Sequence, residues 1–309
     1  MEKILITGVA GFIASHISRR FLSEGYKVVG VDDLSTGVIE AIPAGVEFIQ
    51  GDLALPSTIA KLPKNCSKVL HLAGQSSGDI SFDDPVTDLQ KNTITTLNLI
   101  KYGIQNKIEL FVYASSMSVY GAVPDEPISE DHECRPLSCY GIGKRASEDY
   151  LRIYQDKIPS ISMRMFNVYG PGQNLSNLRQ GMVSIYLAQA LTNGLIEVKG
   201  GSDRFRDFIF IDDVVEAWFR ASTFSSAIGK TLNIGTGIKT TVSSLLSDVC
   251  KIVPNSKYFV TGATQGDQAG IYANTTSLLE VIKIEKFTPL EVGLERFADW
   301  AVKQKLCII

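Results

Sequence analysis

The sequence contains few of the residues that build disulfide-bonded or metal-dependent sites. The cysteines are odd in number and form no CxxC pair, so free thiols in a reducing compartment are expected rather than a disulfide framework. The histidines lie far apart without the spacing of metal ligands, and no metal site is predicted. These residues are Cys66, Cys134, Cys139, Cys250 and Cys307, and His16, His71 and His132.

The chain also lacks a strong net charge and long apolar runs. Its formal net charge is -3, and no segment is rich in lysine and arginine, which argues against nucleic acid or an anionic membrane as a partner. No apolar stretch approaches the roughly 20 residues that cross a bilayer. The first apolar run, at 4–6, is too short for a signal-peptide core. We therefore expect a cytoplasmic location.

Enough apolar sequence is present to form a sizeable core, since 45% of the 309 residues are hydrophobic. In the first half, short β-branched runs alternate with helix-like segments, which is typical of parallel strands joined by crossover helices. The predicted strands are 3–7, 27–32, 47–50, 68–72, 110–115 and 160–166, and the predicted helices are 11–23, 85–105 and 138–154. The fold class is therefore α/β, with a doubly wound parallel sheet of the Rossmann type.

The pattern changes after Tyr169. Gly-Pro-Gly at 170–172 and the polar stretch that follows indicate a loop leaving the sheet. The remainder predicts a helix at 182–192, short strands and a final amphipathic helix at 290–303. We predict a cofactor-binding domain over 1–170 and a smaller C-terminal substrate lobe over 171–309, with some segments of the lobe returning to the first domain.

A glycine turn follows the first strand directly and opens the first helix. Gly8 permits a tight turn, Gly11 lets backbone N–H groups approach a pyrophosphate, and Ala14 is small enough for close packing of helix on sheet. The spacing is GxxGxxA rather than GxGxxG, so the pattern alone is also compatible with a purely structural turn. Its place between strand and helix favours a dinucleotide site.

Residues at the next strand ends support the same site. A carboxylate at the end of the second strand can accept both ribose hydroxyls and repel a 2′-phosphate, which favours NAD over NADP. Asp32 is the main candidate, with Asp33 beside it; the alternative is a solvated aspartate before a turn. Asp52 at the third strand end could accept the adenine amino group. The further cofactor residues predicted at these ends are Leu53, Leu72, Ala73 and Gly74, whereas His71 is expected to be a packed strand residue.

Tyr140 and Lys144 are the strongest catalytic candidates. They stand at i and i+4 of a predicted helix and so share one face. A lysine cation beside a tyrosine, together with a positive nicotinamide ring, would lower the phenol pKa and allow Tyr140 to act as a base. Ser116, at the end of the fifth strand, is the third partner. A YxxxK pair alone is common by chance, but its order after the glycine turn and the serine strand favours catalysis.

Taken together, these motifs resemble the extended short-chain dehydrogenase/reductase family, and within it the UDP-glucose (UDP-galactose) 4-epimerase group. The resemblance covers nearly the whole chain. Its motifs are TGVAGFIASH, VDDLSTG, GDL, HLAG, the segment around Asn92, SSMSVYG, YGIGK, the segment 165–173 and the segment 206–214.

The resemblance implies an NAD-dependent enzyme acting on a nucleotide sugar, most specifically a UDP-sugar, as a homodimer formed through helices 85–105 and 138–154. Ser116, Tyr140 and Lys144 would be catalytic, and Ser116 would also contact the sugar. Asn92, Phe12 and Ile13 would lie at the cofactor, while Asn167, Arg206 and Asp267 would bind substrate, the first two at the diphosphate. Read without the family, Arg206 would be a surface charge paired with Asp203 or Asp207.

Two departures limit what the resemblance implies about substrate. Many relatives carry an arginine two residues before a Gly-Asp pair, where this chain has Thr264, so one phosphate contact is expected to be absent unless Arg204 replaces it. The segment Gln75 to Gly78 also differs from the usual alanine- and valine-bearing form. The nucleotide and the group at C2 of the sugar, hydroxyl or N-acetyl, stay open.

The function expected is a 4-epimerase that passes through a transient 4-keto sugar. A 4,6-dehydratase is disfavoured because its Asp-Glu pair after the catalytic hydroxyl is replaced here by Met117 and Ser118. A 4-keto reductase remains an alternative, since it needs only the same three residues and an exchanging cofactor. A non-catalytic NAD-binding protein on the same fold is the other alternative, although Tyr140 and Lys144 are both present.

Overall fold

The computed structural model describes residues 1–179, 181–262 and 269–306. Its strands are β1 Lys3–Thr7, β2 Lys27–Asp32, β3 Glu47–Gln50, β4 Lys68–His71, β5 Leu110–Ser116, β6 Ser160–Met165, β7 Asn167–Tyr169, β8 Leu195–Lys199, β9 Phe205–Arg206, β10 Phe208–Phe210, β11 Thr231–Ile234, β12 Thr240–Thr241, β13 Lys257–Thr261 and β14 Gly270–Ile271. Its α-helices are α1 Phe12–Ser23, α2 Pro56–Ile59, α3 Pro85–Leu89, α4 Thr95–Gln105, α5 Cys139–Ile153, α6 Met182–Asn193, α7 Ile211–Thr223, α8 Val242–Ile252, α9 Thr276–Ile282 and α10 Leu290–Leu306.

The centre of the molecule is a seven-stranded sheet in the order β11-β6-β5-β4-β1-β2-β3, with every pairing parallel. β1 lies between β2 and β4, so that Ile6 is paired with Gly30 on one side and Leu70 on the other. The strand order reverses at β1, and in such sheets ligands bind at the carboxyl ends of the strands next to this reversal.

Apolar cores cover both faces of the sheet. On one face α1, α7 and α9 pack against β1, β4, β5 and β6 around the fully buried Trp218. On the other face α4 and α5 pack against the same strands through Leu99, Ile100 and Leu151. Strands buried on both faces are rich in valine, isoleucine and leucine, as found here. The predicted doubly wound α/β fold is confirmed.

A separate apolar cluster holds the smaller lobe together. It is formed by α6, α8, α10 and β8, with Tyr186, Leu246 and Phe297 among its buried residues. The second half of the chain also returns to the central sheet, since β11 pairs with β6 and α7 packs on α1. The division of the chain at residue 170 stays a prediction.

The predicted helix at 85–105 is interrupted in the structure. Its first turn is α3, its end is α4, and between them Gln90–Ile94 form a π-helical segment. Such segments shift the direction of the side chains that follow and are frequent at functional sites. Asn92, the residue placed near the cofactor by family resemblance, lies in this segment.

Candidate active site

The turn between β1 and α1 is shaped for close approach of a ligand to the backbone. Gly8 has φ of +71°, and a β-carbon there would lie 2.8 Å from the backbone nitrogen of Ala73. α1 begins after Gly11, and among the described residues no side chain caps its first turn. The unpaired N–H groups and the positive end of the helix dipole favour an anion at this point. This turn therefore fits the pyrophosphate of a dinucleotide.

The acidic residues at the ends of β2 and β3 are held in two different ways. Asp32 is buried, and its carboxylate accepts the N–H groups of Ala10 at 3.0 Å and Leu34 at 2.8 Å, which ties it to the glycine turn. Asp33 and Asp52 instead share the Lys91 ammonium, at 2.5 and 2.9 Å. Asp32 forms no ion pair within the described part of the chain, so its negative charge is available to repel a 2′-phosphate.

The end of β4 lies beside Asn92. The Thr7 hydroxyl accepts the N–H groups of Leu72 at 3.1 Å and Ala73 at 3.0 Å, and so fixes this strand end against β1. A β-carbon on Gly74 would lie only 2.5 Å from Asn92 Oδ1. His71 is buried, with both ring nitrogens next to threonine hydroxyls, as a packed residue would be. Leu53 packs in the apolar core beneath α4.

Ser116 and Tyr140 are brought together by the approach of α5 to the end of β5. Ser138 caps α5 by accepting the N–H of Gly141 at 3.1 Å, which places Tyr140 in the first turn. A β-carbon on Gly141 would lie 2.5 Å from the carbonyl oxygen of Ser118, so α5 comes this close only because the residue is glycine.

Lys144 lies one turn further along α5 and is buried behind the tyrosine. Its ammonium is 5.6 Å from the centroid of the Tyr140 ring and 5.1 Å from that of Tyr113. Burial lowers the pKa of Lys144 to about 8, opposed by the charges of Asp88 and Glu148. At neutral pH this lysine is therefore a buried cation beside the phenol.

The expected lowering of the Tyr140 pKa is not found with the protein side chains alone. Burial raises the pKa of Tyr140 to about 12, and the opposing hydrogen bond from Ser116 does not offset it. The desolvation of the phenolate is the largest cause, and the negative charge of Asp88 raises the pKa of Tyr140 further. The positive charge of an oxidised nicotinamide ring would be needed to make Tyr140 a base near neutrality.

A cavity of about 900 Å³ joins these residues to the smaller lobe. It is lined by Ser116 and Tyr140, and also by Asn167 and Arg206. Phe12 and Ile13, at the start of α1, line the same cavity. Six of the predicted site residues therefore meet in one space: Phe12, Ile13, Ser116, Tyr140, Asn167 and Arg206. Asp267 lies outside the described residues.

Arg206 is not the surface charge that a reading without the family would predict. It is only 4% exposed, and its Nη1 donates to the carbonyl oxygen of Phe205 at 2.7 Å. The neighbouring carboxylate of Asp207 is buried and accepts hydrogen bonds from Thr236, Gly237 and Ala273. A buried guanidinium that lines a cavity is suited to an anionic ligand.

Several residues of the site were missed by sequence reasoning. Lys91 joins two strand ends, and Asp88 lies buried one turn before Asn92. Arg179 bridges the two rims of the cavity, with Nε 2.9 Å from Asp79 and Nη1 2.7 Å from Asp83. The i, i+4 spacing of Asp88 and Asn92 was a usable signal, whereas the other pairs are too distant in the sequence to be inferred from spacing.

Comparison with known proteins assigns the chain to a family. Residues 4–235 match the NAD dependent epimerase/dehydratase family. The chain belongs to this family. The match confirms the predicted resemblance, and with it an enzyme that uses NAD as cofactor.

Individual relatives match most of the length of this chain. UDP-glucose 4-epimerase of Mycolicibacterium smegmatis is 35% identical over 252 residues, or 79% of this chain and 80% of the relative. The solved UDP-glucose 4-epimerase of Thermotoga maritima with UDP-glucose has a TM-score of 0.93 and 30% identity, covering 98% of this chain and 99% of the other.

A third similar protein has a different sugar bound. UDP-glucuronic acid 4-epimerase of Bacillus cereus, solved with UDP-glucuronic acid and NAD, has a TM-score of 0.90 and 28% identity, covering 98% of this chain and 99% of the other.

Within the described ranges, no helix has the length and apolar character needed to cross a membrane. Over the same residues, no group of three or more His, Cys, Asp or Glu side chains is arranged to hold a metal ion.

Proposed function

We propose that the protein is an NAD-dependent UDP-sugar 4-epimerase acting through a transient 4-keto sugar. The observation that carries this proposal is one cavity lined by Ser116 and Tyr140 together with Asn167 and Arg206. Relatives from Mycolicibacterium smegmatis and Thermotoga maritima that are named UDP-glucose 4-epimerases support UDP-glucose as the substrate to be tested first.

The chain provides a complete set of contacts for the cofactor. In this proposal Gly8, Gly11 and the first N–H groups of α1 hold the pyrophosphate. Asp32 accepts the ribose hydroxyls, because each of its oxygens keeps a lone pair beyond the backbone contact it already makes. The predicted residues around the adenine, Asp33, Asp52 and Leu53, and those beside the nicotinamide, Leu72, Ala73, Gly74 and Asn92, keep their proposed roles.

The reaction at C4 needs one hydride and one proton to leave the same carbinol. When bound, NAD supplies the hydride acceptor and, once reduced, the hydride donor. Tyr140 takes the hydroxyl proton as general base and returns it after the sugar has turned. The Ser116 hydroxyl donates to the same oxygen as the carbonyl forms. Lys144 stabilises the phenolate by its positive charge. The reaction is redox neutral overall.

The smaller lobe binds the nucleotide diphosphate in this proposal. Arg206 and Asn167 line the cavity, and a guanidinium pairs with phosphate oxygens in a fixed, bidentate geometry. Arg204 and Lys199 line the same cavity and add positive charge. The role of Asp267 as a substrate ligand stays a prediction.

The 4,6-dehydratase alternative is not favoured. Dehydration requires an acid and a base next to the catalytic hydroxyl, and both positions line the cavity as Met117 and Ser118. Neither side chain transfers protons near neutral pH.

The homodimer is proposed on a separate surface. α3 and α5 expose apolar side chains: Val86 is 64% exposed, Leu89 48%, Ile142 57% and Ile153 66%. Grouped apolar exposure of this kind is typical of an interface. We expect twice the monomer mass in solution and a monomer for Ile153→Glu; a monomeric wild-type protein would contradict the assembly.

A cytoplasmic location stays a prediction.

The function is tested by incubating the purified protein separately with UDP-glucose, UDP-galactose and their N-acetylated forms, without added cofactor. Proton NMR of the sugar should show interconversion at C4 to an equilibrium mixture. Turnover only with added NADPH or NADH and a 4-keto sugar would establish the reductase instead. Tight NAD binding without turnover of any nucleotide sugar would establish a non-catalytic binding protein.

A further inference from the structure

A buried carboxylate lies behind the catalytic pair and has no role in the mechanism given above. Asp88, on α3, is only 2% exposed. Its Oδ1 accepts hydrogen bonds from the side-chain amides of Gln75 at 3.0 Å and Asn92 at 3.1 Å. Its Oδ2 is also buried and has no hydrogen-bond partner among the described residues. A carboxylate in this setting requires a compensating positive charge.

The available positive charge is Lys144. A β-carbon built on Gly143, the residue before Lys144, would lie 3.6 Å from Asp88 Oδ2. A β-carbon on Gly74 would lie 3.5 Å from Lys144 Nζ and 2.5 Å from Asn92 Oδ1. The lysine and the group that holds Asp88 therefore meet around Gly74.

The other charged and titratable groups around Lys144 do not replace Asp88. Glu148, on the same helix, forms a bidentate ion pair with Arg164, with contacts of 2.9 and 2.8 Å, so its charge is already balanced. His71 on β4 is neutral because burial lowers its pKa to about 3. Burial raises the pKa of Tyr113 on β5, which keeps that phenol neutral as well. Asp88 is therefore the larger of the two counter-charges that act on Lys144, the other being Glu148.

We propose that Asp88 is a positioning residue that acts through Lys144, holding its ammonium in the protonated form and so keeping a positive charge beside Tyr140. This inference rests on the proposed function. Burial raises the pKa of Asp88 to about 6, opposed by the charge of Lys144 and by the two amide hydrogen bonds. Asp88 is thus ionised at neutral pH, where it raises the pKa of Lys144 and extends the protonated state of the lysine to higher pH.

The direction of the expected pH shift follows from the loss of the Lys144 proton as pH rises. As pH rises through the pKa of Lys144, at about 8, the ammonium loses its charge and activity falls. Without the Asp88 carboxylate the burial of Lys144 is opposed less, so this loss moves to lower pH. We expect the alkaline limb of the kcat profile to shift down by about one pH unit in Asp88→Asn and in the smaller Asp88→Ser. Asp88→Glu, which keeps the charge, should leave the limb in place.

The test combines that pH profile with a direct titration of Lys144. Lysine labelled with carbon-13 at the ε-carbon is followed by NMR, and the Lys144 signal is identified by its loss in Lys144→Arg. The matched control is Asp156→Asn, which removes one negative charge from an exposed position outside the site and should shift neither curve. Thermal unfolding establishes that each variant is folded.

The outcomes separate cleanly. A lower Lys144 titration and a lower alkaline limb in the two neutral variants support the proposal. A uniform loss of kcat overturns it if neither the pH profile nor the Lys144 titration moves. The proposal is also overturned if Asp88→Glu folds and neither neutral variant does, because Asp88 would then have a structural role. If the wild type turns over no UDP-sugar the proposed function fails, while the NMR titration still decides whether Asp88 controls Lys144.

Discussion

The cavity is lined by a sheet wall, Ser116 and Tyr140, and a lobe wall, Asn167 and Arg206, and the two are built differently. Ser116 and Tyr140 stand at the end of a seven-stranded parallel sheet and in the first turn of the helix packed against it, each fixed by neighbours close in the sequence. Asn167 and Arg206 stand on strands of two or three residues, whose pairings join distant parts of the chain. The sheet wall is therefore suited to chemistry that demands accurate placement, and the lobe wall to recognition of the substrate.

The largest effect that distinguishes the two walls is expected at Tyr140. Tyr140→Phe removes the proposed base from the sheet wall and should lower kcat by about a thousandfold, with thermal unfolding unchanged. The rate of UDP-glucose epimerisation measures this. Tyr150→Phe, on the exposed side of the same helix, is the control and should be fully active. Equal activity of both variants would remove Tyr140 from the chemistry.

The second test concerns the glycine turn. Gly8→Ala places a β-carbon 2.8 Å from the Ala73 nitrogen and should abolish retention of NAD, measured in the purified protein by absorbance and mass. Gly25→Ala has the matched strain, with φ of +84°, but nothing lies within 4 Å of its β-carbon. It should cost about 1 kcal/mol of stability and keep the cofactor. Loss of NAD from both variants would mean that strain alone, and not the cofactor contact, is being measured.

The third test addresses the lobe wall. Arg206→Gln should raise KM for UDP-glucose and weaken inhibition by free UDP by roughly ten- to a hundredfold, because charged hydrogen bonds to phosphate are lost. The value of kcat at saturation should change far less, unlike in Tyr140→Phe. Arg152→Gln on exposed α5 surface provides the control. A fall in kcat with KM unchanged would place Arg206 in the chemistry instead of recognition.

The smallest effect is expected at the rims of the cavity. Arg179 is half exposed, and solvent screens its ion pairs with Asp79 and Asp83, so these pairs contribute little to stability. Arg179→Gln should therefore alter KM by about fivefold or less, and the change should shrink at high salt. Lys251→Gln breaks a surface ion pair with Asp248 on α8, outside the cavity lining, and should leave KM as it is. A change in kcat at Arg179 would indicate a direct role in catalysis.

The contrast between local and long-range contacts also explains how much of the structure the sequence could predict. The bounds of β1 to β6 follow from the sequence to within one residue, because a strand buried on both faces has a local apolar pattern. β11 was not placed in the sheet, since its pairing with β6 joins residues about seventy positions apart. The π-helical segment around Asn92 was not predicted either, because five residues are too few to show an apolar period of their own.

The properties of the site also divide into those that the sequence predicts and those that depend on the folded chain. Gly8, Asp32, Ser116, Tyr140 and Lys144 could be proposed from motifs because each motif is short and lies at a strand end. The raised pKa of Tyr140 and the ion pairs of Lys91 depend on burial and on contacts that only the folded chain creates. Sequence motifs thus predict which side chains carry the chemistry, while burial and contacts in the folded chain decide their charge.

The central claim is that C4 is oxidised and reduced again within one closed cycle. UDP-glucose carrying deuterium at C4 is incubated with the purified protein in ordinary water without added cofactor, and the UDP-galactose formed is analysed by NMR and mass spectrometry. The account predicts that the deuterium is retained at C4 of the product. Product formed with hydrogen from water at C4 would contradict it, because inversion would then proceed without transfer of the hydride to and from NAD.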